Sequence, residues 1–159
     1  MRIRRATRAD LSTVVELRLA LLGEHKRNPV YGRMRPDARD RAIQLYATQL
    51  DSPQEVIFLA ERAGETVGIL RCVHSAGSPL LDPSHYGYVS SVYVIPAARR
   101  DGVARSLLAE AESWCLARGL TEIRLHNAAD NATATAVWDS IGFEVVEQLR
   151  IRPLVASQP

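Results

Sequence analysis

Between residues 86 and 126 the chain carries the unit that most limits what it can fold into. "YGYVSSVYVI" (86–95) is rich in β-branched and aromatic residues and reads as a strand, stopped by Pro96. From Val103 onward, Ala104, Leu107, Leu108, Ala111 and Cys115 recur at the three-and-four spacing of one buried helix face. "EIRLH" (122–126) then reads as a second strand. Two neighbouring strands joined through a helix lie parallel, because the crossover returns the chain to the same end of the sheet.

The other elements fit around this unit. "RIRRA" is an opening strand, and Asp10 is placed to cap a helix with Leu11, Val14, Leu17 and Leu21 on one face. "GEHKRNPVYGRMRP" is a polar, turn-rich loop, and a second helix after Pro36 turns Ile43, Tyr46, Ala47 and Leu50 inward. "EVIFLAER" and "TVGILRCVH" are strands joined by the three residues "AGE". A helix from about Asn131 to Ser140 and a final strand after Gly142 complete the order. Short connections make the earlier strands antiparallel. The expected class is α/β, with a mixed, mostly antiparallel sheet and helices on both faces. No repeat or low-complexity linker interrupts residues 1–159, which read as a single domain.

Composition excludes several classes. A hydrophobic content of 47% supports a core, and a net charge of +2 argues against a nucleic-acid surface. No apolar run follows the N-terminal arginines, and no stretch approaches the ~18 apolar residues a membrane span needs. Cys72 and Cys115 read as core thiols, and the four histidines lack metal-ligand spacing. A cytoplasmic protein with no metal and no membrane or nucleic-acid partner is expected.

The start of the helix at Val103 is unusual. A helix N-terminus carries partial positive charge, yet Arg99 and Arg100 precede it and Arg105 lies in its first turn. The turn from Arg100 to Ala104 presents amides without intrahelical acceptors, and Gly102 lets the chain turn cheaply. Such a combination suits phosphate or pyrophosphate. Asp101 is discordant and is expected to point away. Taken alone, the same residues also describe a solvated turn with surface arginines.

The pattern does not stand alone. The run from "VYVIPAARRDGVARSLL" to "NATATAVWDSIGF" closely resembles the acetyl-CoA-dependent GNAT N-acetyltransferases. Arg99, Gly102 and Ala104 match that family's (Q/R)-x-x-G-x-(G/A) signature, preceded by Pro96. Asn131, Ala134, Gly142 and Phe143 match a second pattern, with Trp138 where tyrosine is commonest. The resemblance implies a splayed parallel strand pair, with the pantetheine arm of acetyl-CoA lying along Val92 and Val94. It places the pyrophosphate on the amides from Arg100 through Val103 and Ala104 to Arg105, with Arg99 helping to form the loop. Asn131 would bond the arm, and Trp138 would stand where relatives protonate the departing thiolate. An acceptor amine, on a small molecule, peptide or protein, would attack the thioester directly, with the Val92 N–H facing the developing oxyanion. A homodimer is left open.

The acid and base are less legible. "YVSSVYV" carries no carboxylate. The candidates are a water relay through Ser90 or Ser91, or one of the histidines, His85 at the strand entrance or His74 at the end of the preceding strand, with Tyr93 or Tyr88 as acid. The same histidines also fit solvent-facing strand ends, and His126 follows a strand where polar residues are ordinary. Tyr31, beside Arg33 and Arg35, lies in the loop expected to shape the acceptor pocket. Because the carboxylate is missing, a non-catalytic acyl-CoA-binding or regulatory module is the alternative reading.

Overall fold

Two residues of positive φ, Ala63 (50°) and Gly64 (85°), turn the chain between β2 (Glu55–Arg62) and β3 (Glu65–Ala76). The connection is therefore two residues rather than three. A turn with both central φ positive matches the right-handed twist of the strands it joins. In this computed structural model, which describes residues 1–155, β1 (Arg2–Arg5) pairs antiparallel with β2, and β4 (His85–Val94) with β3. The short β5 (Ile123–Leu125) runs parallel to β4, so the order is β1-β2-β3-β4-β5. The expected mixed α/β class and its parallel pair are both present.

Helices cover both faces of the sheet. On one, α1 (Leu11–Gly23) and α2 (Ala38–Asp51) bury Val14, Val15, Leu17, Ala42 and Tyr46 against Ile57, Leu59, Ile69 and Tyr93. In α2, Tyr46, Ala47 and Leu50 face inward as expected, but one position differs. Ile43 is 44% exposed and Ala42 is buried in its place, because the seam against α1 runs through Ala42 and Tyr46. Asp10 also departs from expectation. Its carboxylate makes no cap to α1; it accepts from Thr7 N–H at 2.8 Å and from Arg4 Nη2 at 2.8 Å, closing the short 3₁₀ turn Arg8–Asp10.

On the opposite face, α3 (Val103–Leu116) buries Val103, Leu107, Leu108, Ala111, Trp114 and Cys115. Gly87 fixes how closely it approaches, since a Cβ there would collide with Cys115 Sγ. Cys72 and Cys115 are buried free thiols with sulfurs 3.7 Å apart, as core thiols should be.

Residues 1–128 form one compact unit and residues from 129 onward a second. In the second, Asn131 caps α4 (Ala132–Ile141) by accepting from Ala134 N–H at 3.0 Å, and Gly142 ends it at φ 103°. The expected final strand is not formed: residues 143–155 are neither helix nor strand. Val145, Val146 and Leu149 are 75%, 88% and 77% exposed, and a strand requires a paired ladder that this segment lacks. Among the described residues, no helix is long and apolar enough to cross a membrane.

Candidate active site

β4 and β5 part after three pairs. Gly87, Tyr88 and Val89 face Ile123, Arg124 and Leu125, and β5 ends there while β4 continues to Val94. The direction of the freed amides follows from the ladder to β3. Ile95 N–H donates to Val67 O at 3.0 Å, so residues alternating from it point the same way. Tyr93 and Ser91, opposite Ile69 and Arg71, turn their backbone groups toward β3. Val92 and Val94 turn theirs to the outer edge, where no strand pairs with them among the described residues. Arg99 Nε already donates to the Val94 carbonyl at 2.9 Å. Both polar groups of Val92 and the N–H of Val94 therefore face the fork.

Ser90 is the hinge of this arrangement. Arg71 pairs with Ser91 and Cys72 with Val89, leaving Ser90 as the extra residue of a β-bulge. A bulge bends its strand and increases the local twist, which turns β4 away from β5. Arg71 Nη1 donates to Ser90 Oγ at 2.8 Å, and Arg71 Nε is held by Glu55. Ser91 is buried beside it. The two serines, both expected site residues, are thus adjacent to a fixed guanidinium that sequence reasoning did not single out.

At the end of β4 the chain enters the loop before α3. Arg100 (φ 68°) and Gly102 (φ 76°) both adopt left-handed backbone. No side chain caps the helix, and its first intrahelical bond runs from Ser106 N–H to Gly102 O at 3.0 Å. The amides of Val103, Ala104 and Arg105 precede that bond. A Cβ on Gly102 would meet no described residue beyond its chain neighbours within 4 Å, so among the described residues the space before the helix end is open. Asp101 is exposed and bonded to Arg62 Nη1 at 2.7 Å, which neutralises the one discordant charge. Arg99 ties the loop to its surroundings: besides Val94 O it holds Glu24, and its guanidinium lies 5.7 Å from the Tyr93 ring centroid. The uncapped helix and the free strand edge fit an extended, amide-bearing ligand with a phosphate end.

Two expected residues of the first unit, His85 and Tyr93, lie away from the fork. His85 stands five residues before Ser90, roughly 16 Å along an extended strand, with its ring edge-on to His74 at 5.2 Å. Tyr93 lies within the core cluster of α1 and α2. Asn131 and Trp138 belong to the second unit, where Asn131 Oδ1 is occupied as a cap and Trp138 meets Phe143 edge to face at 5.7 Å.

A family model described as the acetyltransferase (GNAT) family matches residues 22–143. The chain belongs to the GNAT family of acetyltransferases. Its relatives include an aminoglycoside N(6')-acetyltransferase type 1 of Acinetobacter haemolyticus, 30% identical over 149 residues, covering 94% of each chain. A mycothiol acetyltransferase of Amycolatopsis mediterranei is 35% identical over 91 residues, 57% of this chain and 30% of that one. The apo crystal structure of an aminoglycoside antibiotic 6'-N-acetyltransferase from Acinetobacter haemolyticus superposes with a TM-score of 0.79 at 25% identity. It covers 99% of this chain and 100% of that one. This GNAT protein is accordingly an acetyl-CoA-dependent N-acetyltransferase, acting on amines.

One pair in this GNAT fold carries a chemistry the sequence hid. Tyr88 Oη and His126 Nδ1 are 2.8 Å apart at the point where β4 and β5 separate. Burial, reinforced by nearby Tyr31 and Tyr86, pushes the Tyr88 hydroxyl up from its ordinary value, so it remains a proton donor at neutral pH. The signal available beforehand was weak: the two residues are thirty-eight apart in sequence and meet only through the parallel register.

Proposed function

We propose that this protein transfers acetyl directly from acetyl-CoA to the amine of a small molecule while both are bound. The observation that supports the reading is the free edge of Val92 and Val94, which runs into a loop that ends at an uncapped helix. Val92 C=O and Val94 N–H would bond the amides of the pantetheine arm, and the amides of Val103, Ala104 and Arg105 would hold the pyrophosphate. Arg99, committed to Val94 O and Glu24, sets the loop; Arg100 and Arg105 add positive charge near it. Acetyl-CoA supplies the activated acetyl group. Val92 N–H, fixed by the sheet, faces the negative charge that grows on the reacting carbonyl oxygen. Much of the rate comes from holding two reactants in line.

The two cysteines are buried against each other on the α3 face, so neither is offered as an acyl carrier. Water held by Ser90 and Ser91 takes the proton from the attacking amine and delivers it to Tyr88 Oη as Tyr88 gives its own hydroxyl proton to His126, which is exposed and returns it to solvent. A thiol pKa near ~8.5 makes the leaving group tolerable without a protein acid, which leaves Tyr93 as the packing partner of Arg99.

Two-substrate initial-rate kinetics test the reading, with free thiol as the signal and a panel of amines as acceptors. Intersecting reciprocal plots are expected; parallel plots, or an acetylated enzyme detected by mass spectrometry, would refute direct transfer. The Ser90→Ala, Ser91→Ala double variant should lower kcat more than His85→Ala does. Tyr88→Phe should flatten the rising limb of the pH–rate profile. A larger effect from His85→Ala would transfer the base to His85.

A further inference from the structure

The acceptor side of the sheet carries a charge pattern that the proposed reaction does not use. Segment 24–41, which joins α1 to α2 and opens α2, holds six lysines and arginines against three carboxylates, in a chain whose net charge is only +2. A cavity of about 310 Å³ lies between the two helices and this segment. Leu19, Leu22, Met34 and Leu45 give it apolar walls, Tyr46 and Arg33 line it as well, and no carboxylate does. The acids around it are mostly committed: Asp37 to Arg35 and Arg41, Glu16 to Arg39, Glu55 to Arg71. Asp40 is exposed and does not line the cavity.

Arg18 of α1 is the counterpart of these spent acids. Its guanidinium lies 4.6 Å from the ring centroid of Tyr46, a wall residue of the cavity. Burial pulls its pKa below the ordinary value, opposed by the hydrogen-bonding Tyr46 hydroxyl, while the nearby Arg71 charge lowers it further and Glu55 raises it. Its Nη1 is buried and makes no hydrogen bond within the described residues. A buried guanidinium nitrogen left without an acceptor is costly, and a carboxylate or other anion is the partner that satisfies it best.

We infer that the acceptor is an amine that also carries an anionic group, its negative end held by Arg18 and its apolar portion lying in the cavity between α1 and α2. This rests on the acetyl-transfer reading above and names its substrate class. It also separates this protein from relatives named for aminoglycosides, which are polycations and would be met here by a cavity lined with arginines and, among the described residues, by no carboxylate.

The test uses 6-aminohexanoate and 6-aminohexanamide, which share an amine and a chain and differ in the anion, with kanamycin as the polycationic acceptor. Thiol release is measured for each, and CoA binding is checked by calorimetry. The acid should exceed the amide at least tenfold in kcat/KM and should exceed kanamycin. Arg18→Met should bring the acid down to the level of the amide. Where Arg18→Met does not fold, the acid–amide comparison on the unaltered protein decides. Equal rates for acid and amide, or kanamycin as the best acceptor, would overturn the inference and leave N-acetyl transfer standing. Tight CoA binding with no transfer to any amine would overturn the catalytic reading and the inference with it.

Discussion

Gly102→Val isolates the role of the uncapped helix end. The residue sits at φ 76°, where an L side chain costs about 1–2 kcal/mol. Among the described residues other than its chain neighbours, no atom lies within 4 Å of the added Cβ, so no collision with them adds to that cost. Against a typical stability of ~5–15 kcal/mol the variant should stay folded. Its two methyl groups would occupy the open space before the amides of Val103, Ala104 and Arg105, which is where a phosphate must come to use them. The dissociation constant for CoA should rise at least tenfold, on the order of 1.4 kcal/mol. Gly102→Ala pays a similar conformational cost with a single carbon and should lose less affinity. Urea unfolding gives the stability change and calorimetry the affinity. A valine variant destabilised as expected that still binds CoA like the unaltered protein would show that this helix end is not the anion site. Equal losses for alanine and valine would mean that distortion of the loop, not blocking, explains the effect.

Two further outcomes concern stability and reactivity. The Arg4 guanidinium, with Thr7 N–H, holds the Asp10 carboxyl well below the usual carboxylate range. A depressed carboxylate stabilises the fold above its unfolded pKa of ~3.9 and loses that contribution as pH falls through its folded value. Asp10→Asn should therefore cost about 1–2 kcal/mol at pH 7, the loss of charge-assisted hydrogen bonds, and give a shallower acid limb in thermal melts below pH 4; an unchanged limb would place acid sensitivity elsewhere. Cys72 and Cys115 are both buried, so a thiol reagent should find no fast cysteine in the native protein and two in denaturant. One rapid thiol in the folded state would contradict the packing of α3.

What the sequence disclosed is what local pattern encodes. The helix at Val103 and the strands of the β2–β3 hairpin emerged within a residue or two because their periodicities are strong and their ends are marked by Gly64, Pro96 and Gly102. The parallel pair followed from connectivity. The bulge at Ser90 was invisible, since it exists only in the register between Arg71 and Ser91. Likewise the Tyr88–His126 contact and the buried Arg18 arise from elements distant in sequence. Ile43 shows the limit of helix phase: Tyr46, Ala47 and Leu50 face inward as expected, but the packing against the partner helix decides that Ala42 rather than Ile43 is buried at the edge of that face. The segment after Gly142 has the β-branched residues of a strand, but pairing is a property of the sheet and not of the segment.

The fork between β4 and β5 also bears on how the protein behaves in the tube. Unsatisfied strand amides are templates for the strands of other molecules, and sheets usually shield them at the margin with charge, bulges or closure. Here the vacancy begins beyond Val89, partly guarded by the bulge at Ser90 and by Arg99 on the Val94 carbonyl. A ligand that lies along Val92 and Val94 completes that shield. Colloidal stability should therefore track cofactor occupancy: light scattering on storage should grow faster for the ligand-free protein than for the same preparation kept in CoA.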